Sequence, residues 1–512
     1  MNTASICILL TIFVYLAGML LIGFRCAGKN ETSTDFYLGG RRLGPFVTAM
    51  SAEASDMSSY LLMGLPGLAY LSGTADVGWT VIGLALGTYL NWLLVAKRLR
   101  CYTHVTDSFT IPQFFSKRFH DKRQILSVLA AVIIIIFFIP YTASGFAACG
   151  KLFHSLFGMD YMAAMLLSAA VIIAYTTAGG FLAASMTDFI QSIIMTIAIL
   201  FILIFAVSMA GGVSGVMAEA SALPGYLSMT ESYDIASGTS VPYGILKTCS
   251  MLAWGLGYFG MPHILLRFMA IEDAGKLRLS RRVASVWVVI AMGVAVSIGI
   301  AGKALSAEGV IGELGGSATE TIVVRIADLL SRYGIPAALM AGLVLSGILA
   351  STMSTADSQL LAASSSVSQN ILQDGLRRKL SRKGSMLAAR LTVLLIAALG
   401  IFIARDPESS VFGIVSFAWA GFGAGFGPLV LCALFWKRTT LPGAVAGMAA
   451  GGIMVFVWKY LIAPLGGAFA IYELLPAFLT GLLVIILVSL CTKAPGEAVL
   501  LEFEEARAQS RQ

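Results

Sequence analysis

Three stretches of this chain set oxygen-bearing and aromatic side chains into otherwise apolar runs. Within residues 44–71 lie Ser51, Glu53, Ser55, Asp56, Ser58, Ser59 and Tyr60, then Gly64, Pro66 and Gly67. A carboxylate in the middle of a membrane span is costly unless paired or hydrated. The small polar residues permit local unwinding, and irregular backbone survives at that depth only where it lines a cavity or is buried in protein. A charged helix end at the interface is the plainer alternative, weakened by apolar residues on both sides. Within 243–270 come Trp254, Gly255, Gly257, Tyr258, Gly260, Met261, Pro262 and His263, a pattern that breaks or kinks a helix. Within 335–369, Ser351, Ser354, Thr355 and Ser358 recur at spacings of three and four, with Asp357 at their border. On a helix these share a face. An oxygen-rich stripe suits a hard cation, although hydroxyls often bond only their own helix backbone.

Other chemistries are excluded by context. Gly255, Gly257 and Gly260 satisfy the letters of a dinucleotide-binding loop, but no strand precedes them and the motif lies inside an apolar span. The run from Gly421 to Gly427 is read as close helix packing. Seven cysteines and four histidines are dispersed, so no metal cluster is visible, and thiols such as Cys149, Cys249 and Cys432 are read as small buried hydrophobes. An intramembrane enzyme would need a nucleophile and base or metal ligands converging, and none is found. No organic cofactor is expected.

The elements that must position these residues follow from composition. The 512 residues are 58% hydrophobic and 12% charged, with a mean hydropathy of +0.87. Soluble domains are about half apolar and a quarter charged, so the bilayer is the fitting solvent and lipid the expected surroundings. A span needs roughly 20 apolar residues, and about 13 stretches qualify. They lie near 5–24, 44–71, 75–96, 124–149, 161–178, 185–211, 243–270, 283–305, 335–369, 385–404, 410–436, 441–463 and 471–491. The first is not read as a signal peptide, because basic residues follow its apolar run instead of preceding it. The net charge of +7 is not a nucleic-acid footprint. With loops on alternating sides, about 27 of the 34 Lys and Arg fall on one side, the positive-inside pattern. That places the N-terminus outside and the C-terminus in the cytoplasm. The first two breaks stand about five spans apart, as paired interrupted helices do in transporters built from inverted repeats.

At these residues the chain resembles the sodium:solute symporter family, most closely its sodium/proline branch. The resemblance runs in order over nearly the whole length. It rests on Tyr37-Leu-Gly-Gly-Arg41, Ala54-Ser-Asp-Met-Ser58, Leu61-Leu-Met-Gly-Leu-Pro-Gly67, Trp254-Gly-Leu-Gly-Tyr258, Pro262-His-Ile-Leu, Met353-Ser-Thr355 and Ala418-Trp-Ala-Gly-Phe-Gly. It implies an all-α membrane protein with a leucine-transporter-type core of five plus five inverted helices. One further helix would precede the core and two would follow it. The expected divisions are 1–43 for the first helix and its cytoplasmic loop, 44–211 and 243–436 for the repeats, 437–492 for the last two helices and 493–512 for the tail.

The resemblance also implies sodium-coupled import of a small solute, with proline the first expectation. Another amino acid or small carboxylate is the alternative, and a passive channel or receptor is a remoter one. By the same resemblance, the carbonyls of Ala54, Met57 and Ser351 and the hydroxyls of Ser354 and Thr355 would hold sodium. Asp56 would support the ion, and Ser58 would lie near ion and solute. Arg41 would act at the cytoplasmic end. Tyr141, Trp254, Tyr258 and Pro262 would line the pocket, where aromatic rings offer flat apolar walls with a polar handle. Four positions depart from the branch: Tyr60 stands in place of Trp, Met261 in place of Gln, and Glu53 in place of a small residue. The fourth, Asp357, stands where some members use a hydroxyl for a second sodium, and Asp188 matches the acid they pair with it. The two acids would serve a second cation, or one would carry a proton.

Overall fold

A computed structural model describes residues 3–27, 37–377 and 381–511. Segments 28–36 and 378–380, part of the basic loops expected in the cytoplasm, lie outside the described residues. Helices dominate because a bilayer offers backbone groups no water, and a helix satisfies them within one segment.

Helix α1 (Thr3–Ala27) precedes a broken span made of α2 (Pro45–Ser59) and α3 (Leu65–Ser72). Next, α4 (Thr74–Leu90) runs through a π-helical turn into α5 (Lys97–Val105), and α6 (Ile111–Arg118) follows. The long α7 (Ile125–Phe157) and α8 (Tyr161–Met209) come next, with α8 interrupted at Gly180, and then the short α9 (Gly212–Ala222). A second broken span is built from α10 (Ile245–Leu252), a 3-10 stretch over 253–260 and α11 (Pro262–Ala270). After it stand α12 (Leu277–Ala307), α13 (Ile322–Ser331), α14 (Ile335–Ser365), α15 (Arg382–Ile403) and α16 (Val411–Phe435). The chain closes with α17 (Leu441–Val457), α18 (Leu474–Cys491) and α19 (Glu497–Arg511). Among the described residues the β-strands are those of one antiparallel hairpin, β1 (Glu231–Asp234) with β2 (Thr239–Pro242).

Nine helices are long and apolar enough to span a bilayer among the described residues, or ten with the second broken span, bent by 48°. The three expected stretches outside this set, 44–71, 161–178 and 385–404, are helical as well. The polar run divides 44–71 between α2 and α3. The stretch 161–178 is the part of α8 ahead of the break at Gly180, and 385–404 coincides with α15.

Helix α14 packs against α8, α1 and α2, while α16 packs against α7 and the 253–260 stretch. Glycine allows the second contact. A Cβ on Gly257 would stand 1.9 Å from Trp419 Nε1, and one on Gly255 would stand 2.1 Å from the Gly83 carbonyl oxygen. In the run Gly421–Gly427, a Cβ on Gly421 would stand 2.2 Å from the Phe137 ring and one on Gly423 would stand 2.8 Å from Gly257 Cα, which bears out close packing over a phosphate cradle. Cys149 and Cys432 are buried as expected, but Cys249 is exposed on the outer face of α10. Arg118, read from sequence as part of a cytoplasmic loop, is fully buried: its Nε donates to the Ala433 carbonyl at 3.0 Å. Its guanidinium lies 5.1 Å from the Phe503 ring, which docks α19 on the body of the protein.

Candidate functional site

The first break falls at Ser58, whose φ of 49° and ψ of −168° interrupt α2. Non-glycine residues rarely hold a positive φ, and the five-residue π-turn over 60–64 follows at once. Above it, Pro66 occupies the first turn of α3, where its missing N–H costs nothing. The break turns the Ala54 carbonyl toward α14. Ser354 Oγ donates to that carbonyl at 2.8 Å and lies 3.2 Å from the Ser351 carbonyl, which also accepts from Thr355 Oγ1 at 3.1 Å. Four of the five oxygens expected to hold a cation thus form one linked cluster. The carbonyl of Met57 stands apart from these bonds and accepts from the Tyr60 N–H. Hydroxyls of the stripe do bond their own helix: Ser351 reaches the Ile348 carbonyl at 2.9 Å and Thr355 the Ser351 carbonyl at 3.1 Å. Ser354 is distinguished by reaching across to α2.

One residue pair further along α2, a buried cavity opens. Its walls are Asp56, Met57, Tyr60, Leu84, Tyr141, Trp254, Tyr258, Met292, Val415 and Trp419, around a cavity of about 20 Å³. That is room for about one water, so a solute enters only if these walls part. Tyr258 Oη donates to Asp56 Oδ2 at 2.5 Å, and Tyr141 Oη reaches the Asp56 carbonyl at 3.4 Å. Asp56 Oδ1 and the Tyr60 hydroxyl have no hydrogen-bond partner among the described residues. Trp254 stacks between Tyr60, centroids 5.9 Å apart, and Tyr472, at 4.8 Å. Trp419 Nε1 donates to the Trp254 carbonyl at 2.8 Å, fixing the 3-10 stretch against α16.

Tyr141, Trp254 and Tyr258 therefore share one cavity, as anticipated. Ser58 and Pro262 are buried but do not line it. Ser58 Oγ instead accepts from the Tyr60 N–H at 3.1 Å, and Pro262 opens α11 behind the wall. Of the departures, Tyr60 lines the cavity and Met261 does not. Glu53 faces the π-helical turn between α4 and α5: its Oε1 accepts from Trp92 Nε1 at 3.0 Å. Leu84, Met292 and Val415 were not readable as wall residues, since each is one apolar residue within a long apolar helix.

Asp188 and Asp357 meet an unanticipated partner. Arg267, counted from sequence among cytoplasmic loop residues, is buried on α11. Its Nη2 donates to Asp188 Oδ2 at 2.9 Å and to Ser358 Oγ, and its Nε donates to Ser51 Oγ at 3.1 Å. Ser358 Oγ in turn donates to Asp357 Oδ1 at 3.1 Å. The helical spacing of His263 and Arg267 was the available signal, because Arg267 Nη1 returns to the His263 carbonyl at 2.8 Å.

Arg41 sits at the foot of α2 with φ 57°. It donates to the Met269 carbonyl at 3.0 Å, the Thr103 carbonyl at 2.9 Å and the Ser108 carbonyl at 2.7 Å. It thereby ties the entry of α2 to the ends of α5 and α11. Burial, then the neighbouring Arg100 charge, brings its pKa down to about 10, so it stays cationic at neutral pH.

A profile of the sodium:solute symporter family matches residues 36–451. The chain is 42% identical over 503 residues to a sodium/proline symporter of Haemophilus influenzae, covering 97% of each chain. It is 41% identical over 506 residues to the sodium/proline symporter of Escherichia coli, covering 98% of this chain and 96% of that one. Among solved structures, a substrate-bound outward-open Na+-coupled sialic acid symporter superposes with a TM-score of 0.78 at 18% identity. The superposition covers 96% of this chain and 99% of that one, so the fold is shared.

Proposed function

The chain belongs to the sodium:solute symporter family, and from that premise we propose that it imports L-proline together with one sodium ion by alternating access. The supporting observation is the placement of the oxygen cluster of Ala54, Ser351, Ser354 and Thr355 beside the aromatic cavity, at one helix break. Sodium is a hard cation and takes oxygen ligands, as other hard cations do. The Met57 carbonyl, three residues further along α2, would be the fifth ligand. Asp56 supplies negative charge between ion and solute. Tyr141, Trp254 and Tyr258 hold the pyrrolidine ring, and Ser58 and Pro262 shape the break and the wall behind it. Arg41 holds the cytoplasmic end closed until the bundle rocks.

In this reading, residues 44–211 and 243–436 are the inverted repeats. Residues 1–43, 437–492 and 493–512 are the first helix with its loop, the last two helices and the tail. The N-terminus faces outside and the C-terminus the cytoplasm. One sodium ion moving inward down about 100 mV releases about 2.3 kcal/mol, and a tenfold gradient adds about 1.4 kcal/mol. Together they support roughly a few hundred-fold accumulation of a neutral zwitterion.

The test is uptake of labelled proline into proteoliposomes under an inward sodium gradient, with potassium as the control. Sodium-dependent uptake that unlabelled proline blocks is expected. No sodium effect on any candidate solute would overturn the symport reading. A second reading, another amino acid or small carboxylate, is favoured by one observation: the unpartnered Tyr60 hydroxyl in the cavity wall could bond a polar group that proline lacks. A competitor panel in the same assay separates the two.

A further inference from the structure

A buried polar atom without a partner is costly, so several of them around one space describe what that space is built to hold. The solute cavity carries three. Asp56 Oδ1, the Tyr60 hydroxyl and Trp254 Nε1 have no hydrogen-bond partner among the described residues, and all three side chains line the cavity. Each of the three residues is more than nine-tenths buried. The Trp254 ring is stacked against Tyr60 and Tyr472, so the contact it has left to offer is the edge that carries its N–H. Leu84, Met292 and Val415 add apolar surface, and no lysine, arginine or histidine stands among the described walls.

The three atoms divide by chemistry. Asp56 Oδ1 accepts only, and its charge favours the ammonium of an amino acid. An indole N–H donates only, whereas a phenol both donates and accepts. A second carboxylate suits this pair poorly, because it would stand beside Asp56 with no cation in the walls to offset it. In transporters with broken spans that group is met by backbone N–H groups at half-helix ends. A methylene satisfies neither Tyr60 nor Trp254. A hydroxyl satisfies both, accepting from the indole and exchanging a bond with the phenol. It also has the right size, since the closed cavity of about 20 Å³ has room for about one water.

We propose that the solute site accepts, beside proline, a proline bearing a hydroxyl on its ring, with that hydroxyl held between Tyr60 Oη and Trp254 Nε1. This rests on the proline-symport reading and deepens it by widening the solute class. With proline bound, a water takes the place between the two side chains; a ring hydroxyl takes it directly. Tyr60 is then a specificity-determining residue, because the ammonium, carboxylate and ring are common to both solutes and the substituent alone reaches it.

The experiment is competition against sodium-driven uptake of labelled proline into proteoliposomes. The competitors are unlabelled proline and the cis and trans isomers of L-proline hydroxylated at the β or γ ring carbon. In wild type, at least one isomer is expected to half-inhibit uptake within about tenfold of the concentration that unlabelled proline needs. Tyr60→Phe removes the hydroxyl and keeps the ring. It should weaken the strongest hydroxylated competitor roughly three- to tenfold relative to proline, the range of one neutral hydrogen bond. Should Tyr60→Phe not fold, Tyr60→Trp also lacks the phenol and should show the same selective loss. A relative shift below about threefold overturns the inference. Equal weakening of both solutes does so as well, and would assign the Tyr60 contact to the carboxylate they share. If no isomer competes within about tenfold while proline is taken up with sodium, this inference alone falls. Absence of sodium-dependent proline uptake by wild type would overturn the reading on which it rests.

Discussion

Ser354→Ala tests the ion site most directly. Ser354 Oγ is the atom that joins α14 to the broken α2, through its 2.8 Å bond to the Ala54 carbonyl. If it is a sodium ligand, the substitution removes one oxygen facing a full positive charge. A hydrogen bond or equivalent contact to a charged group contributes about 1.5–3 kcal/mol. At about 1.4 kcal/mol per tenfold, the sodium concentration for half-maximal uptake should rise roughly 10- to 150-fold. If the hydroxyl is only structural, the loss is a neutral bond of about 1 kcal/mol. That would lower the melting temperature and leave the sodium dependence where it was. Ser346→Ala is the matched control, because Ser346 Oγ is buried on the same helix and bonds only the Gly342 carbonyl at 2.8 Å. The assay is initial uptake against sodium concentration at saturating solute. A shift below about threefold in Ser354→Ala, or an equal shift in Ser346→Ala, would refute the assignment.

Two further outcomes follow from packing. Gly257→Ala puts a Cβ 1.9 Å from Trp419 Nε1 and should displace the indole that holds the Trp254 carbonyl. Overpacking costs about 1–3 kcal/mol, so solute uptake and thermal stability should both fall, while Gly18→Ala, with nothing within 4 Å, should change neither. Glu320 accepts from Lys151 Nζ at 2.7 Å, from Ser410 Oγ at 2.9 Å and from the Val411 and Phe412 N–H groups at the start of α16. Glu320→Ala leaves a buried ammonium unpaired at a cost of about 3–5 kcal/mol, and adding Lys151→Met should recover more than half of the lost thermal stability.

The breaks were legible because serine, glycine and proline interrupt apolar runs, and a membrane tolerates such interruptions only at a purpose. The partners of the breaks were less so. Ser354 and Ala54 lie 300 residues apart, and nothing in either segment alone says that they touch. Their pairing was reached through resemblance, which carries tertiary information that spacing does not. Residues standing behind the cavity, such as Tyr472 against Trp254, had no such guide. Arg267 was misplaced for a physical reason. Counting charges by position assumes that each arginine beside a span is solvated, and α11 carries this one inward to meet Asp188. The hairpin of β1 and β2 is too short for its alternation to stand out from a polar loop.

Coupling of ion and solute can be argued from the span of one helical turn. Ala54 presents its carbonyl to Ser354, Asp56 presents its carboxylate to Tyr258 and the cavity, and Ser58 holds the strained dihedral between them and the π-turn. Such a strained residue costs about 1–3 kcal/mol and persists only where its surroundings over-determine it. A cation gathering the Ala54, Ser351, Ser354 and Thr355 oxygens would add to that determination, and the side on which Asp56 faces the cavity would be fixed with it. In the proposed reading, a solute held by Tyr258 and Asp56 would fix the same backbone from the other side. Each ligand would then stabilise the conformation that the other requires, and by linkage the two would tighten each other by the same factor.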